Sequence, residues 1–255
     1  MPARPEHGAG PEHATGPGQG AGPDHGAGPL AALLARVAAG EYPPPDGRVT
    51  ILPQPSVRDC GVLSFTAHAV IFADADPAWV RAQLPHGDLA APMSPLFLQA
   101  LCARTGRQAS TIDMLCLASP MPGPPAFSLS PTMASRHPRA GRAVRYRDDD
   151  RAWEADGGIV VVGRGVAGRW EVAIEVDPGR RGQGLGRELA TAARHLISSD
   201  AGNGRDRRDG RDRRDARSER LWAQISPGNA ASVRAFLAAG YKPVGAEALL
   251  TQPGH

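Results

Sequence analysis

The stretch Val176-Asp177-Pro178-Gly179-Arg180-Arg181-Gly182-Gln183-Gly184-Leu185-Gly186 decides how this chain is read. Before it, Trp170 to Val176 alternates, with Val172, Ile174 and Val176 on one face and Glu171, Ala173 and Glu175 on the other, so a strand is expected. After it, Leu185, Leu189, Ala192, Ala193, Leu196 and Ile197 recur at helical spacing, which predicts an amphipathic helix with one buried face. Glycines at a strand-to-helix junction let backbone N–H groups approach an anion, and the helix N-terminus adds unpaired donors and partial positive charge. The junction reads as a pyrophosphate-binding device. A P-loop is excluded because Gly186 is followed by Arg187 and Glu188 rather than Lys and Ser/Thr. A dinucleotide fingerprint is excluded because its third glycine would fall on Arg187.

Working outward, Gly158 to Val162 reads as a strand, Gly163 to Gly168 as a hairpin loop, Asp148-Asp149-Asp150 as a turn, and Ala143 to Arg147 as an alternating segment. Leu221 to Ile225 is a strand, Ser226-Pro227-Gly228 a turn, and Asn229 a strong N-cap for a helix over Ala230 to Ala239, closed by Gly240. A last extended segment runs from Tyr241 to Thr251.

The run Asn229-Ala230-Ala231-Ser232 through Phe236 to Gly240-Tyr241 is the second signature. Together with Arg181-x-x-Gly184-x-Gly186, in the same order of strand, loop, helix, strand and capped helix, it resembles the acyl-CoA-binding region of the GNAT superfamily of N-acyltransferases. The resemblance covers about residues 143–251. It implies an α/β (α+β) fold with a mixed, mostly antiparallel sheet flanked by helices, and acetyl-CoA or a related acyl-CoA as donor. It implies that backbone amides from Arg181 through Gly182, Gln183, Gly184 and Leu185 to Gly186 hold the pyrophosphate. Val176, at the end of a bulged strand, would bond the pantetheine arm and polarise the thioester carbonyl through its N–H. Asn229 and Ser232 would reach the pantetheine chain. Transfer to an amine needs a group to take its proton, and Glu175 is the first candidate base, Glu171 the second. Where the family commonly has a tyrosine to protonate the departing thiolate, this sequence has Phe236; Tyr241 is expected to pack. A non-catalytic acyl-CoA-binding module is therefore the alternative to an N-acetyltransferase.

The first half divides less clearly. Residues 1–28 are low in complexity, without apolar period, and read as a disordered tail whose His7, His13 and His25 are incidental. Leu30 to Ala39 reads as a helix, Val49 to Leu52 and Gly61 to Ala73 as strand-like, Asp76 to Leu84 and Ser94 to Thr105 as helices capped by Asp76 and Ser94, and Thr111 to Leu117 as a strand. Residues 29–135 thus form an α/β region, belonging either to the same fold as residues 140–251 or to a separate domain. Residues 201–217 repeat Arg and Asp without apolar anchors and read as a disordered insertion.

Composition sets the outer bounds. The chain has 255 residues, net charge +3 and a single lysine, Lys242, with basic and acidic residues interleaved, which argues against a nucleic-acid partner. Cys60, Cys102 and Cys116 lie far apart and make neither a disulfide framework nor a zinc site, so no metal is expected. No apolar run approaches a membrane span and no signal peptide is visible, so a cytoplasmic protein is expected. Oligomeric state stays open, a homodimer included.

Overall fold

The computed structural model describes residues 28–133, 141, 145–200 and 219–253; the side chains of residues 198–200 are not described. The tail expected to be disordered and the insertion at 201–217 lie outside the described residues, Gly28 apart.

Local signals place the helices. Pro29–Ala39 (α1) begins on a proline and stops at Gly40, whose φ of 94° suits a left-handed C-cap. Asp76 accepts from Ala78 N to cap Pro77–Ala82 (α2), and Ser94 accepts from Phe97 N to cap Pro95–Thr105 (α3). Leu185–Asp200 (α4) follows the glycine loop, and Asn229 caps Ala230–Ala238 (α5) by accepting from Ser232 N at 3.1 Å.

The strands are β1 (Val49–Leu52), β2 (Gly61–Phe65), β3 (His68–Phe72), β4 (Gln108–Ala118), β5 (Ser130–Thr132), β6 (Asp148–Ala155), β7 (Gly158–Arg164), β8 (Trp170–Val176), β9 (Leu221–Ile225) and β10 (Lys242–Thr251). They form one ten-stranded sheet in the order β1-β3-β2-β10-β4-β9-β8-β7-β6-β5. The β1–β3 and β8–β9 pairs are parallel and the other neighbours antiparallel, the mixed and mostly antiparallel sheet expected. Strands from residues 29–135 and from residues 140–251 interleave at its centre, where β10 lies between β2 and β4, and β4 between β10 and β9. Gly61 permits the close approach of β2 to β10, because a Cβ there would strike the Ala248 carbonyl.

Three apolar clusters hold the layers together. On one face, α4 and α5 pack Leu189, Ala193 and Phe236 over Val160, Val172, Cys116 and Ala223. Farther along that face, α2 and α3 bury Val80, Phe97 and Leu101 against Val62, Ile71 and Ala248. The opposite face carries α1, whose Leu30, Leu34 and Val37 cover Leu63, Phe72, Leu115 and Trp222. At about 25 cal/mol per Å² of apolar area removed from water, burial on this scale is what opposes the chain's loss of conformational entropy.

Several local expectations need correction. Gly61 to Ala73 is two strands joined at Thr66-Ala67, not one segment, and Ala67 takes a left-handed φ of 50°. The expected turn at Asp148-Asp149-Asp150 is absorbed into β6 as a bulge. There Asp149 has φ 49° and the register with β7 shifts between Asp148 and Arg151. Arg145 to Arg147 lies outside any strand, and Ala143 and Val144 fall outside the described residues.

Candidate active site

β8 and β9 pair only at Trp170–Leu221 and Glu171–Trp222. Beyond that row each stays bonded to its outer neighbour, β8 to β7 and β9 to β4, so the two parallel strands part. A cleft opens between their C-terminal ends, the position where parallel strands in α/β sheets commonly take ligands. Each strand leads into a helix N-terminus, α4 after β8 and α5 after β9.

The backbone of β8 lines one wall. Asp177 N donates to Gly157 O at 2.9 Å, just beyond the Gly158–Val176 pair. That bond makes Gly158–Val176 a non-hydrogen-bonded pair of the antiparallel ladder. The main-chain groups of Val176 and, two residues back, Ile174 therefore point away from β7 toward the gap, where β9 offers no ladder partner. The register of β8 against β7 is unbroken, so the bulge expected in this strand is absent. The side chains of Ile174 and Val176 pack against the α4 cluster, which frees the opposite face for Glu175.

The glycine loop forms the mouth. Residues 177–179 and 181–184 are exposed; Gly182 and Gly184 have φ of 76° and 91°, a region that penalises any other residue. Arg187 N makes a hydrogen bond back to Gly184 O at 2.9 Å, so the N–H groups of Leu185 and Gly186 precede the first bonded turn. Gly186 serves another purpose: a Cβ there would meet Ala235 Cβ at 3.5 Å and Val176 Cγ2 at 3.7 Å, so α4, α5 and the end of β8 converge on it. Arg181 Nε donates to Val176 O at 3.2 Å, and Gln183 Nε2 to Gly179 O at 3.1 Å, so both side chains brace the loop. Arg180 pairs with Asp156 and lies across Gly157, coupling the loop to the β6–β7 turn. The sequence signal for that brace was the Asp156-Gly157 dipeptide, a hairpin turn by its chemistry.

Glu175 is half-buried and opposite Ile159 of β7. Glu171 corrects expectation. It is 3 % exposed and accepts from Arg169 Nε at 2.8 Å, Val166 N at 3.2 Å and Gln224 Nε2 at 3.1 Å, with Arg147 Nε 3.4 Å away. Burial opposes its charge, but the Arg169 and Arg147 guanidiniums outweigh burial and hold its carboxyl below the usual range. A carboxylate held that way is a poor proton acceptor and sits away from solvent. Arg169 also binds Glu247 of β10 through Nη2 at 2.7 Å. With one guanidinium partner, Glu247 is pushed up by burial, the nearby Glu171 charge adding to it.

Asp113 of β4, which the sequence reading passed over, faces the same side as Glu175. Asp113 is opposite Glu247, and Glu247 opposite Leu63, in a row that would continue through the end of β9 to Glu175. Thr111 Oγ1 donates to Asp113 Oδ1 at 2.8 Å, and burial raises its pKa. The alternation of Asp113, Leu115 and Leu117 was a usable signal of its face.

Phe236 is buried and meets Tyr241 edge-on at 4.9 Å between centroids. Tyr241 packs as expected: its hydroxyl donates to Ala190 O at 3.1 Å, and burial pushes its pKa up. Neither ring offers a proton to the cleft. Burial also raises the Cys60 and Cys116 thiols to about 11, which removes them as nucleophiles near neutral pH. Among the described residues no group of three His, Cys, Asp or Glu is placed to hold a metal ion. No helix among them is long and apolar enough to cross a membrane.

No protein-family model matches the chain, and no curated protein matches it. Among solved structures it is similar to a GCN5-related N-acetyltransferase from Kribbella flavida, with 19 % identity and a TM-score of 0.36 over 62 % of this chain and 64 % of that one. The chain thus spans less than two thirds of that neighbour's length. A likeness this distant carries no argument, and the functional reading rests on the geometry of the cleft.

Proposed function

We propose that the chain is an acyl-CoA-dependent N-acyltransferase that moves an acetyl or other acyl group to a primary amine of a small molecule or peptide. The observation that carries this reading is the parting of β8 from β9. It leaves main-chain groups at Ile174 and the Val176 N–H without a ladder partner in β9, beside a gap that ends in an exposed glycine loop and a helix N-terminus. A pyrophosphate fits the N–H groups from Arg181 to Gly186, which are reinforced by the helix dipole. The amide-bearing pantetheine arm fits an unpaired strand edge, as any extended chain does. Asn229, already the α5 cap, and Ser232 flank the arm from the other helix.

In the reaction the amine nitrogen attacks the thioester carbon, the carbon–sulfur bond breaks, and the thiolate departs. Val176 N–H supports the negative charge that develops on the carbonyl oxygen. Glu175 takes the proton that the ammonium must lose, and Asp113 on β4, the strand beyond β9, attracts the cationic amine. Solvent protonates the thiolate, because Phe236 has no ionisable proton and the Tyr241 hydroxyl is committed to Ala190. Those same two residues favour one alternative, an acyl-CoA-binding module without turnover.

Calorimetry with acetyl-CoA tests the donor. Gly184→Val should weaken binding at least tenfold, since φ near 91° forbids a branched residue. Wild-type protein that binds no acetyl-CoA, or a Val variant that binds equally well, sinks the reading. Thiol release across a panel of amines then separates enzyme from binding module.

A further inference from the structure

The cleft has a floor, and its chemistry is unlike the walls. The last paired row is Glu171–Trp222, and two residues beyond it on each strand stand Ala173 and Gln224, on the face that carries Glu175. At about 3.3 Å per residue, Ala173 and Gln224 lie roughly 10 Å below Val176, so an acyl chain whose carbonyl sits at Val176 N–H runs down toward this row. Gln224 is held there. Its Nε2 donates to Glu171 Oε1 at 3.1 Å and to Glu247 Oε2 at 2.8 Å. Both carboxylates are fixed in turn by Arg169, at 2.8 Å from Glu171 and 2.7 Å from Glu247. The Arg169 guanidinium also lies over the Trp222 ring, 5.0 Å from its centroid.

We propose that Gln224, locked by this buried network, is the residue that limits the acyl chain the cleft accepts to a short one. This rests on the acyl-CoA reading and adds to it the class of donor. A short acyl group stops above Ala173 and Gln224 without reaching them. A chain long enough to meet that row has to displace Gln224 from two hydrogen bonds to carboxylates, or lie against buried charges that offer it no favourable contact. The neighbouring buried groups cannot yield instead. Moving Glu171 or Glu247 breaks one of the two buried ion pairs of Arg169, in a site from which water is excluded.

The experiment measures binding of acetyl-, butyryl- and hexanoyl-CoA to the full chain and to Gln224→Ala by calorimetry. The readout is the ratio of affinities within each protein, so a general loss of donor affinity cancels. Wild type should favour acetyl- over hexanoyl-CoA by at least about tenfold, the scale on which a pocket wall discriminates methylenes. Gln224→Ala should bring that ratio close to one. If the alanine variant does not fold, Gln224→Asn, which withdraws the amide by one methylene, should shift the preference toward butyryl-CoA. A wild type indifferent to chain length, or a ratio unchanged in the variants, overturns the assignment of Gln224 while leaving the donor reading intact. A wild type that binds none of the three overturns both.

Discussion

Asp113 carries a charge that folding makes harder to hold. Burial raises its pKa above the ordinary 3.8, so the folded chain binds that proton more tightly than the unfolded one. Stability contributed by the group is therefore lost as pH rises from about that value through the folded pKa, and the penalty persists at neutral pH. Asp113→Asn, which can still accept from Thr111, should melt on the order of 1–2 °C higher than wild type at pH 7, and no higher once both pKa values are passed on acidification. A melting difference that persists unchanged to low pH would contradict this origin. Individual residues were legible in the sequence where their role was local: Asp76, Ser94 and Asn229 as caps, Gly182 and Gly184 as left-handed turns. Glu171 was misread because alternation tells which face a side chain takes and not what covers that face. Its partners are Arg169, Arg147 and Gln224, and the same guanidinium reaches Glu247, far along the chain. No spacing rule joins those positions.

Among the elements, α5 has two separable duties. Its N-cap satisfies the helix backbone through Asn229 Oδ1, and its first turn is exposed and free to meet the donor that we propose. Asn229→Ala removes the cap and should cost about 1 kcal/mol of stability. Asn229→Asp keeps the accepting oxygen and replaces the amide donor, so it should melt within about a degree of wild type while binding acetyl-CoA on the order of tenfold more weakly. Equal binding by the aspartate variant would confine Asn229 to capping. The far end of α5 is also tied down, by Arg194 of α4, whose Nη1 donates to Ala239 O at 2.7 Å and Nε to Ser119 O at 2.8 Å. Arg194 falls off the apolar stripe of α4, and periodicity records only what a helix buries. It carries no trace of a guanidinium reaching across to another helix's last carbonyls.

For the whole molecule, the order of strands was the least legible feature. Each strand from β7 to β10 was visible as a short apolar or alternating run. Which of them would be neighbours depends on complementary edges and faces that a linear pattern does not encode. The consequence is a sheet in which neither half closes by itself. A fragment starting at residue 145 lacks β4, and so leaves β9 without its antiparallel neighbour and β10 without either of its own. Such a fragment should show no cooperative melting transition, whereas the full chain should; a fragment that melts cooperatively and binds acetyl-CoA would show that the central interleaving is dispensable.

The place of β10 also bears on when this protein becomes itself during synthesis. Gly61 and its partner across the sheet, Leu249, stand 188 residues apart in the chain. At about 5–20 residues per second, the edges of β2 and β4 wait many seconds for the strand that fills them. The centre of the sheet can close only once β10 has been made, when it fills the place between two strands made long before it. Until then the nascent chain holds two open strand edges in need of protection.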